Sequence, residues 1–269
     1  MSKFHIALTG LVFTFFLQNS YANERLVALT IDDLPFVGPV HSKNGETNRF
    51  MQLVNQIEER QVSATGFIIA GSIGKGQEEL LTYFKQKGFY LGNHTYTHIN
   101  LNRVGATKYL EDLEKSEERL QGLMTSPKYF RYPYLAEGRG NDKLLVQEYL
   151  NNHNYIIAPV SIDSKDYKFN SRLLAVNWRN REARLNDIKN NYLSYIDKQI
   201  TLAEKSHKQN YPEILLVHAN LLNSYAIGDV IDLFKRRGYR FISLDEAMRI
   251  KKDQDLEKEL LRKQALITN

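Results

Sequence analysis

The 269-residue chain contains no cysteine, which excludes a disulfide framework and any thiolate-ligated metal site. Any metal ion would therefore be held by histidine and carboxylate side chains. A concentrated charge of one sign is also lacking, because 36 Lys and Arg residues are interspersed with 31 Asp and Glu residues and leave a net charge of only +5. This mild basicity predicts a solvated surface with at most a weak preference for anionic cell-envelope material, and it predicts no nucleic-acid partner.

An apolar run long enough to span a bilayer is absent as well. The N-terminal segment has one early lysine, an apolar stretch from about Ile6 to Leu17, and then the small residues Ser20 and Ala22 two positions apart. A spanning helix needs roughly 20 apolar residues, so a membrane anchor is the weaker of two interpretations. The pattern predicts a signal peptide over residues 1–22, removed on export, and hence a periplasmic or secreted protein without a stable membrane span.

Short apolar runs and helical patterns alternate through the rest of the chain. Apolar residues at helical spacing predict helices over 47–61 and 186–206, and a glycine after a basic helical turn predicts helix ends at Gly88 and Gly238. The runs that resemble buried strands are LVALTI, TGFIIAG, FYLGNH, KYFRYPY, YIIAPVSI, EILLVHAN and YRFISL. This alternation predicts an α/β fold with a parallel sheet, open or closed into a barrel.

One globular domain over residues 23–250 accommodates this pattern, because α/β barrels routinely reach this size. A charged helix or tail over 251–269 follows it. In barrels, chemistry collects at the carboxyl ends of the strands, and reactive side chains follow five of the predicted strands here. These side chains are Asp32, Asp33, His94, His98, Arg131, Asp163, Asp166 and His218. We therefore expect one shared site.

The pair His94 and His98 has the spacing at which one helical turn would point both imidazoles the same way, toward one metal ion. A carboxylate would complete a facial triad of two histidines and one carboxylate. Asp32 and Asp33 are both candidates, since adjacent side chains at a strand end point in different directions and only one of them would bind the metal. Each group alone also has a structural interpretation: the two aspartates as a strand-ending turn, and His218 as a core histidine.

Five short segments, TIDD, HTYTH, RYPY, DSKDY and LLVH, occur in this order from Leu26 to about Ala247. In order and spacing this set resembles the five motifs of the polysaccharide deacetylases (carbohydrate esterase family four). The resemblance implies a distorted (β/α)7 barrel that removes N- or O-acetyl groups from sugars with a divalent metal, usually Zn²⁺, although Co²⁺ and other ions can serve. By motif position, Asp33, His94 and His98 would hold that metal.

The same resemblance implies roles for the remaining motif residues. Asp32 would be the general base, His218 the general acid, and Arg131 would brace Asp32. The backbone N–H of Tyr134 would help to form an oxyanion hole. Asp166 aligns with the fourth motif better than the nearby first aspartate of DSKDY, and its contact, to Arg131 or to His218, is left open by the sequence.

Three positions depart from the family pattern and point to an atypical subgroup. Ile31 replaces a phenylalanine, Tyr167 replaces a tryptophan that would line the substrate groove, and Ala219 follows the acid histidine where an aspartate is more common. The resemblance implies a deacetylase of acetylated polysaccharide or oligosaccharide, with N-acetyl favoured over O-acetyl, from the cell envelope or the extracellular space.

Two other functions remain open at this stage. A non-catalytic relative would keep the metal and bind carbohydrate without turnover. Another metal hydrolase on a similar barrel, such as a phosphoesterase, would need more basic residues near the metal than Arg131 alone. The sequence does not select among chitin-like, peptidoglycan, xylan and exopolysaccharide substrates.

Overall fold

The computed structural model describes residues 24–37, 43–206 and 211–267. The predicted signal peptide, residues 1–22, lies outside the described residues. None of the helices in the described ranges is long and apolar enough to cross a membrane.

One parallel sheet organises the described chain. Its strands are β1 (Arg25–Val37), β2 (Ala64–Ile68), β3 (Tyr90–Asn93), β4 (Lys128–Phe130), β5 (Tyr155–Ile157), β6 (Ile162–Asp163), β7 (Glu213–Asn220) and β8 (Tyr239–Ile242). They lie in the order β5-β4-β3-β2-β1-β7-β6, and β8 pairs with β1. The predicted fold, a distorted α/β barrel of the (β/α)7 type, is confirmed as a curled, incompletely closed parallel barrel.

The long strand β1 is the centre of this sheet. One edge pairs with β7 from Val27 to Val37, while the other edge is divided between β8, which pairs with Arg25 to Ala28, and β2, which pairs with Leu29 to Leu34. Its apolar residues from Leu26 to Ile31 are buried on both faces, because one face packs against the helices and the other faces the barrel interior. This explains why its sequence reads as a continuous apolar run.

The barrel is open between β5 and β6, where the sequence predicts a single strand. In the structure this segment makes two strands at opposite ends of the sheet order. Between them lies Pro159, which lacks a backbone N–H. The neighbouring residues turn to different strands, with Ala158 N–H donating to Phe130 O and Ser161 N–H donating to Ile214 O.

Eight α-helices pack around the sheet in the described ranges: α1 (Lys43–Glu59), α2 (Glu78–Gln86), α3 (Leu101–Arg119), α4 (Gly140–Asn152), α5 (Asp166–Ala175), α6 (Arg181–Ser206), α7 (Leu221–Arg236) and α8 (Leu244–Ile267). The helices predicted over 47–61 and 186–206 correspond to α1 and α6. Gly88 and Gly238 follow helix ends with φ of +78° and +79°, as predicted for C-terminal capping glycines. The charged segment is part of α8 from residue 251 to residue 267.

Strand alternation divides the core into two layers and orients the site. Val27, Leu29 and Ile31 face the cluster between sheet and helices, whereas Leu26 and Ala28 belong to a smaller cluster inside the barrel. Side chains alternate along a strand, so the inner face of β1 continues through residues 30 and 32. The polar end of this inner face is the floor of the site.

Candidate metal and hydrolytic site

Asp33, His94 and His98 form a compact cluster at the carboxyl ends of β1 and β3. Asp33 Oδ1 lies 3.5 Å from His94 Nε2 and 3.4 Å from His98 Nε2. The three potential ligand atoms all lie within 4.8 Å of one another. Asp33 Oδ1 is buried and has no hydrogen-bond partner. A buried carboxylate oxygen aimed at two imidazole nitrogens is the donor set that a divalent metal such as zinc prefers.

The route by which the two histidines meet differs from the prediction. The segment after β3 is an irregular loop, not a helical turn, and both Thr95 and His98 have positive φ, at +67° and +57°. Their rings are nevertheless 5.0 Å apart. Left-handed backbone at non-glycine residues costs free energy, so this loop needs external support.

That support comes from Asp112 of α3, which the sequence analysis missed. Its carboxylate accepts hydrogen bonds from Tyr96 N–H at 2.8 Å, Thr97 N–H at 3.0 Å and the Thr97 hydroxyl at 2.6 Å. At the start of the loop, the buried Asn93 side chain accepts from Thr95 N–H at 2.8 Å. These bonds fix the loop between the two imidazoles.

His94 is held in the tautomer and orientation of a metal ligand. Its Nδ1 lies 2.8 Å from the backbone oxygen of Arg131, which only accepts, so Nδ1 carries the proton and Nε2 faces the cluster. Burial, followed by the neighbouring His98, lowers the pKa of His94 well below its ordinary value, and burial also lowers the pKa of His98. Burial raises the pKa of Asp33. Uncharged imidazole nitrogens beside a carboxylate complete the fit of this cluster to a divalent cation.

Asp32 lies beside this cluster and is paired with Arg131. Both side chains are buried, and Arg131 Nη1 lies 3.6 Å from Asp32 Oδ1. Arg131 Nη2 donates to the Thr30 hydroxyl at 3.1 Å, and the guanidinium covers the Phe67 ring at 4.7 Å. Burial raises the pKa of Asp32 to about 6, although the Arg131 charge opposes the shift. A carboxylate with this pKa can both accept and release a proton near neutral pH.

His218 and Asp166 form a second pair across the pocket. Asp166 is fully buried, and its Oδ1 lies 2.7 Å from His218 Nδ1. Burial disfavours the charged imidazole, but the Asp166 carboxylate and its hydrogen bond outweigh burial and raise the pKa of His218 to about 10. The contact that the sequence left open is therefore between Asp166 and His218. Asp163 instead accepts from Lys165 N–H at 2.9 Å.

These groups face one pocket of about 420 Å³. Its polar lining includes Asp32, Asp33, His94, His98, Asp163 and His218. Tyr134 and Leu135 line one wall, and the exposed ring of Tyr167 lines another, at 6.1 Å from the His218 ring centre and perpendicular to it. Tyr167 thus occupies the wall where the sequence analysis placed it.

Tyr134 has an unusual backbone, with φ of +58°, directly after Pro133. Its ring lies 4.4 Å from the His98 ring, and its side chain is 64% exposed. Among the described residues, none of the hydrogen bonds uses the Tyr134 backbone N–H. Tyr134 is also one of the residues that line the pocket.

Four further polar residues of the pocket region were not identified from the sequence. Lys165 and Asn170 line the pocket, and the buried Asn220 and Asn223 hold Asp166. The segment VHANLLN contained a usable signal, because an asparagine directly after a strand and before a helical run is a typical N-cap. Asp166, the common partner of Asn220 and Asn223, lies more than fifty residues away in the sequence, so the local pattern does not reveal it.

The fold and the site together define an α/β-barrel protein with a candidate metal site at the carboxyl ends of its strands. The family model for polysaccharide deacetylase matches residues 19–155, just over half of the chain. The chain belongs to the polysaccharide deacetylase family.

Three proteins illustrate its relatives. The chitin deacetylase of Colletotrichum lindemuthianum is 27% identical over 233 residues, which cover 83% of this chain and 79% of the relative. Its solved structure matches with a TM-score of 0.57 at 23% identity, covering 84% of this chain and 88% of that one. A peptidoglycan-N-acetylglucosamine deacetylase of Bacillus cereus is 29% identical over 147 residues, 54% of this chain and 48% of the relative. A mutant of a CE4 family pseudoenzyme shares the fold, with a TM-score of 0.59 at 18% identity over 84% of this chain and 68% of that one.

Proposed function

We propose that this protein is a metal-dependent hydrolase that removes acetyl groups from an acetylated polysaccharide or oligosaccharide. The observation that carries the proposal is the convergence, on one pocket, of a metal-type triad, a buried carboxylate of raised pKa, and a histidine backed by a buried aspartate. Family membership supports the same reaction class.

In this proposal Asp33, His94 and His98 hold a divalent metal, most consistent with Zn²⁺, while Co²⁺ also suits the donor set. When bound, such a metal supplies Lewis-acid polarisation and a water of lowered pKa. Asp32 accepts the proton of the attacking water, and Arg131 fixes the orientation of that carboxylate. The raised pKa of Asp32, to about 6, matches a base that must later release its proton.

The remaining residues act on the substrate side of the reaction. The Tyr134 backbone N–H donates a hydrogen bond to the oxygen that becomes negative as the acetyl carbon turns tetrahedral. His218 gives its Nε2 proton to the leaving nitrogen, and Asp166 holds the opposite nitrogen of the ring. The oxygen of the water thereby becomes part of acetate, and the liberated amine receives a proton from His218.

The state of His218 favours an N-acetyl over an O-acetyl substrate. An amine leaves poorly unless it is protonated, and the Asp166 partner, by raising the pKa of His218 to about 10, keeps the imidazole protonated at neutral pH. An acetylated glycan of the cell envelope or the extracellular space agrees with the predicted export of the chain.

The test is acetate release by the purified protein from N-acetylated chitooligosaccharide, peptidoglycan fragments and O-acetylated xylan. Each substrate is assayed with metal-free protein and again after adding zinc or cobalt. Metal-dependent release would support the proposal and rank the substrates. Binding of glycan and of one metal ion per chain without release would favour the non-catalytic alternative, and faster hydrolysis of nitrophenyl phosphate than of nitrophenyl acetate would favour a phosphoesterase.

A further inference from the structure

We propose that Asn220 and Asn223 form an amide clamp that positions Asp166 behind His218, so that both asparagines are positioning residues for the proton transfer. The inference rests on the proposed function for its kinetic consequence. Its structural part, the aim of Asp166 at His218, stands on hydrogen bonds alone and can be tested without turnover.

The clamp explains how a fully buried carboxylate is accommodated. Asp166 Oδ1 contacts His218 Nδ1, while Oδ2 accepts three N–H groups: His218 N at 2.8 Å, Asn220 Nδ2 at 2.8 Å and Asn223 Nδ2 at 2.5 Å. Neutral donors stabilise the carboxylate without cancelling its charge toward the imidazole. They also fix the rotation of the carboxyl group, so that Oδ1 points at Nδ1.

Asn220 performs two tasks that only an amide combines. Its Oδ1 accepts Asn223 N–H at 3.0 Å and caps the N-terminus of α7, while its Nδ2 donates to Asp166. Serine and aspartate cap helices about as well as asparagine. Neither can replace the donor at this distance, because serine is too short and an aspartate would face Asp166 with a like charge.

The side chain of Asn223 also forms hydrogen bonds through both its nitrogen and its oxygen. Its Nδ2 donates to Asp166 and also to the backbone oxygen of His218 at 2.9 Å, and its Oδ1 accepts from the Tyr192 hydroxyl at 3.1 Å. A carboxylate and a carbonyl only accept, so the nitrogen of Asn223 must face them. The side chain is completely buried, which leaves no water to substitute for a lost bond.

Substitutions at Asn220 separate positioning from helix capping. Asn220→Ser keeps the helix cap and removes the donor to Asp166. Asn220→Asp keeps the cap and replaces the hydrogen bond to Asp166 with repulsion between two carboxylates. Ser224→Ala is the matched control, since within the described residues its hydroxyl bonds to Leu221 O alone, on the same buried helix turn. Asn223→Ser is a second variant that removes the other donor.

The activity readout is kcat and KM on chitooligosaccharide with zinc-loaded protein, alongside zinc content and melting temperature. We expect kcat to fall by roughly 10- to 100-fold in Asn220→Ser, as for other outer hydrogen-bond partners of reacting groups, and further in Asn220→Asp. KM and zinc content should stay at the level of the Ser224→Ala control, whereas the melting temperature should fall below that control, because the buried Asp166 carboxylate loses a donor. If Asn220→Ser, Asn220→Asp and Asn223→Ser all had the same kcat as the Ser224→Ala control, the clamp would be overturned and Asn220 would be a helix cap only.

The second readout is the titration of the His218 ring by NMR in zinc-loaded protein, which needs no substrate. The titratable groups that face this ring are the carboxylates of Asp32, Asp33 and Asp166, the uncharged imidazoles of His94 and His98, and the phenol of Tyr167. Of these groups only Asp166 is contacted by Asn220 and Asn223. In Asn220→Ser and Asn223→Ser the His218 midpoint should therefore move to lower pH, and the alkaline limb of kcat/KM should move with it. An unchanged midpoint in both variants would refute the clamp.

These two readouts keep the clamp distinct from the proposed function. If the wild-type protein releases no acetate but the His218 midpoint falls in Asn220→Ser, the clamp stands and the deacetylase assignment fails. If the wild type is active and neither kcat nor the midpoint changes, the clamp fails and the assignment stands.

Discussion

Replacing Asp112 tests how the loop between the two candidate histidine ligands is held. Asp112→Ala removes three hydrogen bonds to a charged acceptor, from Tyr96 N–H, Thr97 N–H and the Thr97 hydroxyl. Bonds to charged groups contribute roughly 1.5 to 3 kcal/mol each, but Thr97 is exposed, so water replaces part of the loss. We therefore expect the free energy of unfolding to fall by about 3 kcal/mol.

The same substitution should weaken metal binding without touching a ligand. Once the loop is released, the left-handed conformation of His98 must be restored on binding, and we expect zinc affinity to fall roughly 10- to 100-fold. Urea unfolding of the metal-free protein measures the first effect, and competition with a chromophoric chelator measures the second.

Asp112→Asn is the matched control. In the native protein one oxygen, Oδ2, accepts both backbone N–H groups, and an amide oxygen can do the same while its nitrogen donates to the Thr97 hydroxyl. The loss of stability should then stay below about 1 kcal/mol. If Asp112→Ala kept its stability within about 0.5 kcal/mol and its zinc affinity within about twofold, the reasoning that this carboxylate holds the loop would be refuted.

Four further substitutions address other parts of the molecule. Asp32→Asn should abolish acetate release while one zinc per chain is retained, whereas His98→Ala should lose both, as measured by metal analysis and acetate assay. Asp166→Asn should lower the pKa of His218 from about 10 toward its ordinary 6.5 in an NMR titration. Because a raised folded-state pKa stabilises the protein below 6.5 and this contribution is lost as pH rises through about 10, the urea midpoints of wild type and Asp166→Asn should differ more near pH 6 than at high pH. Gly92→Ala should cost about 2 to 3 kcal/mol in urea unfolding, since its Cβ would lie 2.7 Å from a backbone oxygen of β4 and 3.0 Å from an aromatic ring of β2.

Each of these has a clear contrary result. Loss of zinc from Asp32→Asn would place that carboxylate among the ligands. A His218 titration that is unchanged in Asp166→Asn would mean that the neighbouring β1 carboxylates, and not Asp166, set its charge. Wild-type stability of Gly92→Ala would mean that β4 can move away from β3 at no cost.

Much of the fold follows from the sequence because its signals are local. Apolar strand runs, helical spacing, and the capping glycines Gly88 and Gly238 each depend on a few adjacent residues, and their alternation restricts the sheet to parallel pairing. The division of the predicted fifth strand into β5 and β6 was not foreseen. Pro159 marks the break between them, but the pairing of β5 with β4 and of β6 with β7 depends on contacts with residues distant in the sequence.

The residues of the candidate metal cluster could be predicted from the sequence, but the hydrogen bonds that hold their backbone in place could not. Motif order pointed to Asp33, His94 and His98, and the structure brings them within reach of one ion. Their backbone geometry was not predictable from spacing, because the loop depends on Asp112, fourteen residues beyond His98 and on another element. Supports of this kind are set by tertiary contacts, which a pattern along one segment cannot contain.

The departure at Ala219 has a physical explanation in the strand period. His218 and Asn220 lie on the inner face of β7 with the site, while Ala219 lies on the outer face, fully buried in the apolar cluster between sheet and helices. A carboxylate at 219 would enter that cluster at a cost of several kcal/mol. Since a shift of one residue along a strand moves a side chain to the opposite face, the polar group at 220 contacts Asp166 where one at 219 would not. The alanine and the asparagine after it therefore form one arrangement, in which the outer face stays apolar and the inner face supplies a neutral donor to Asp166.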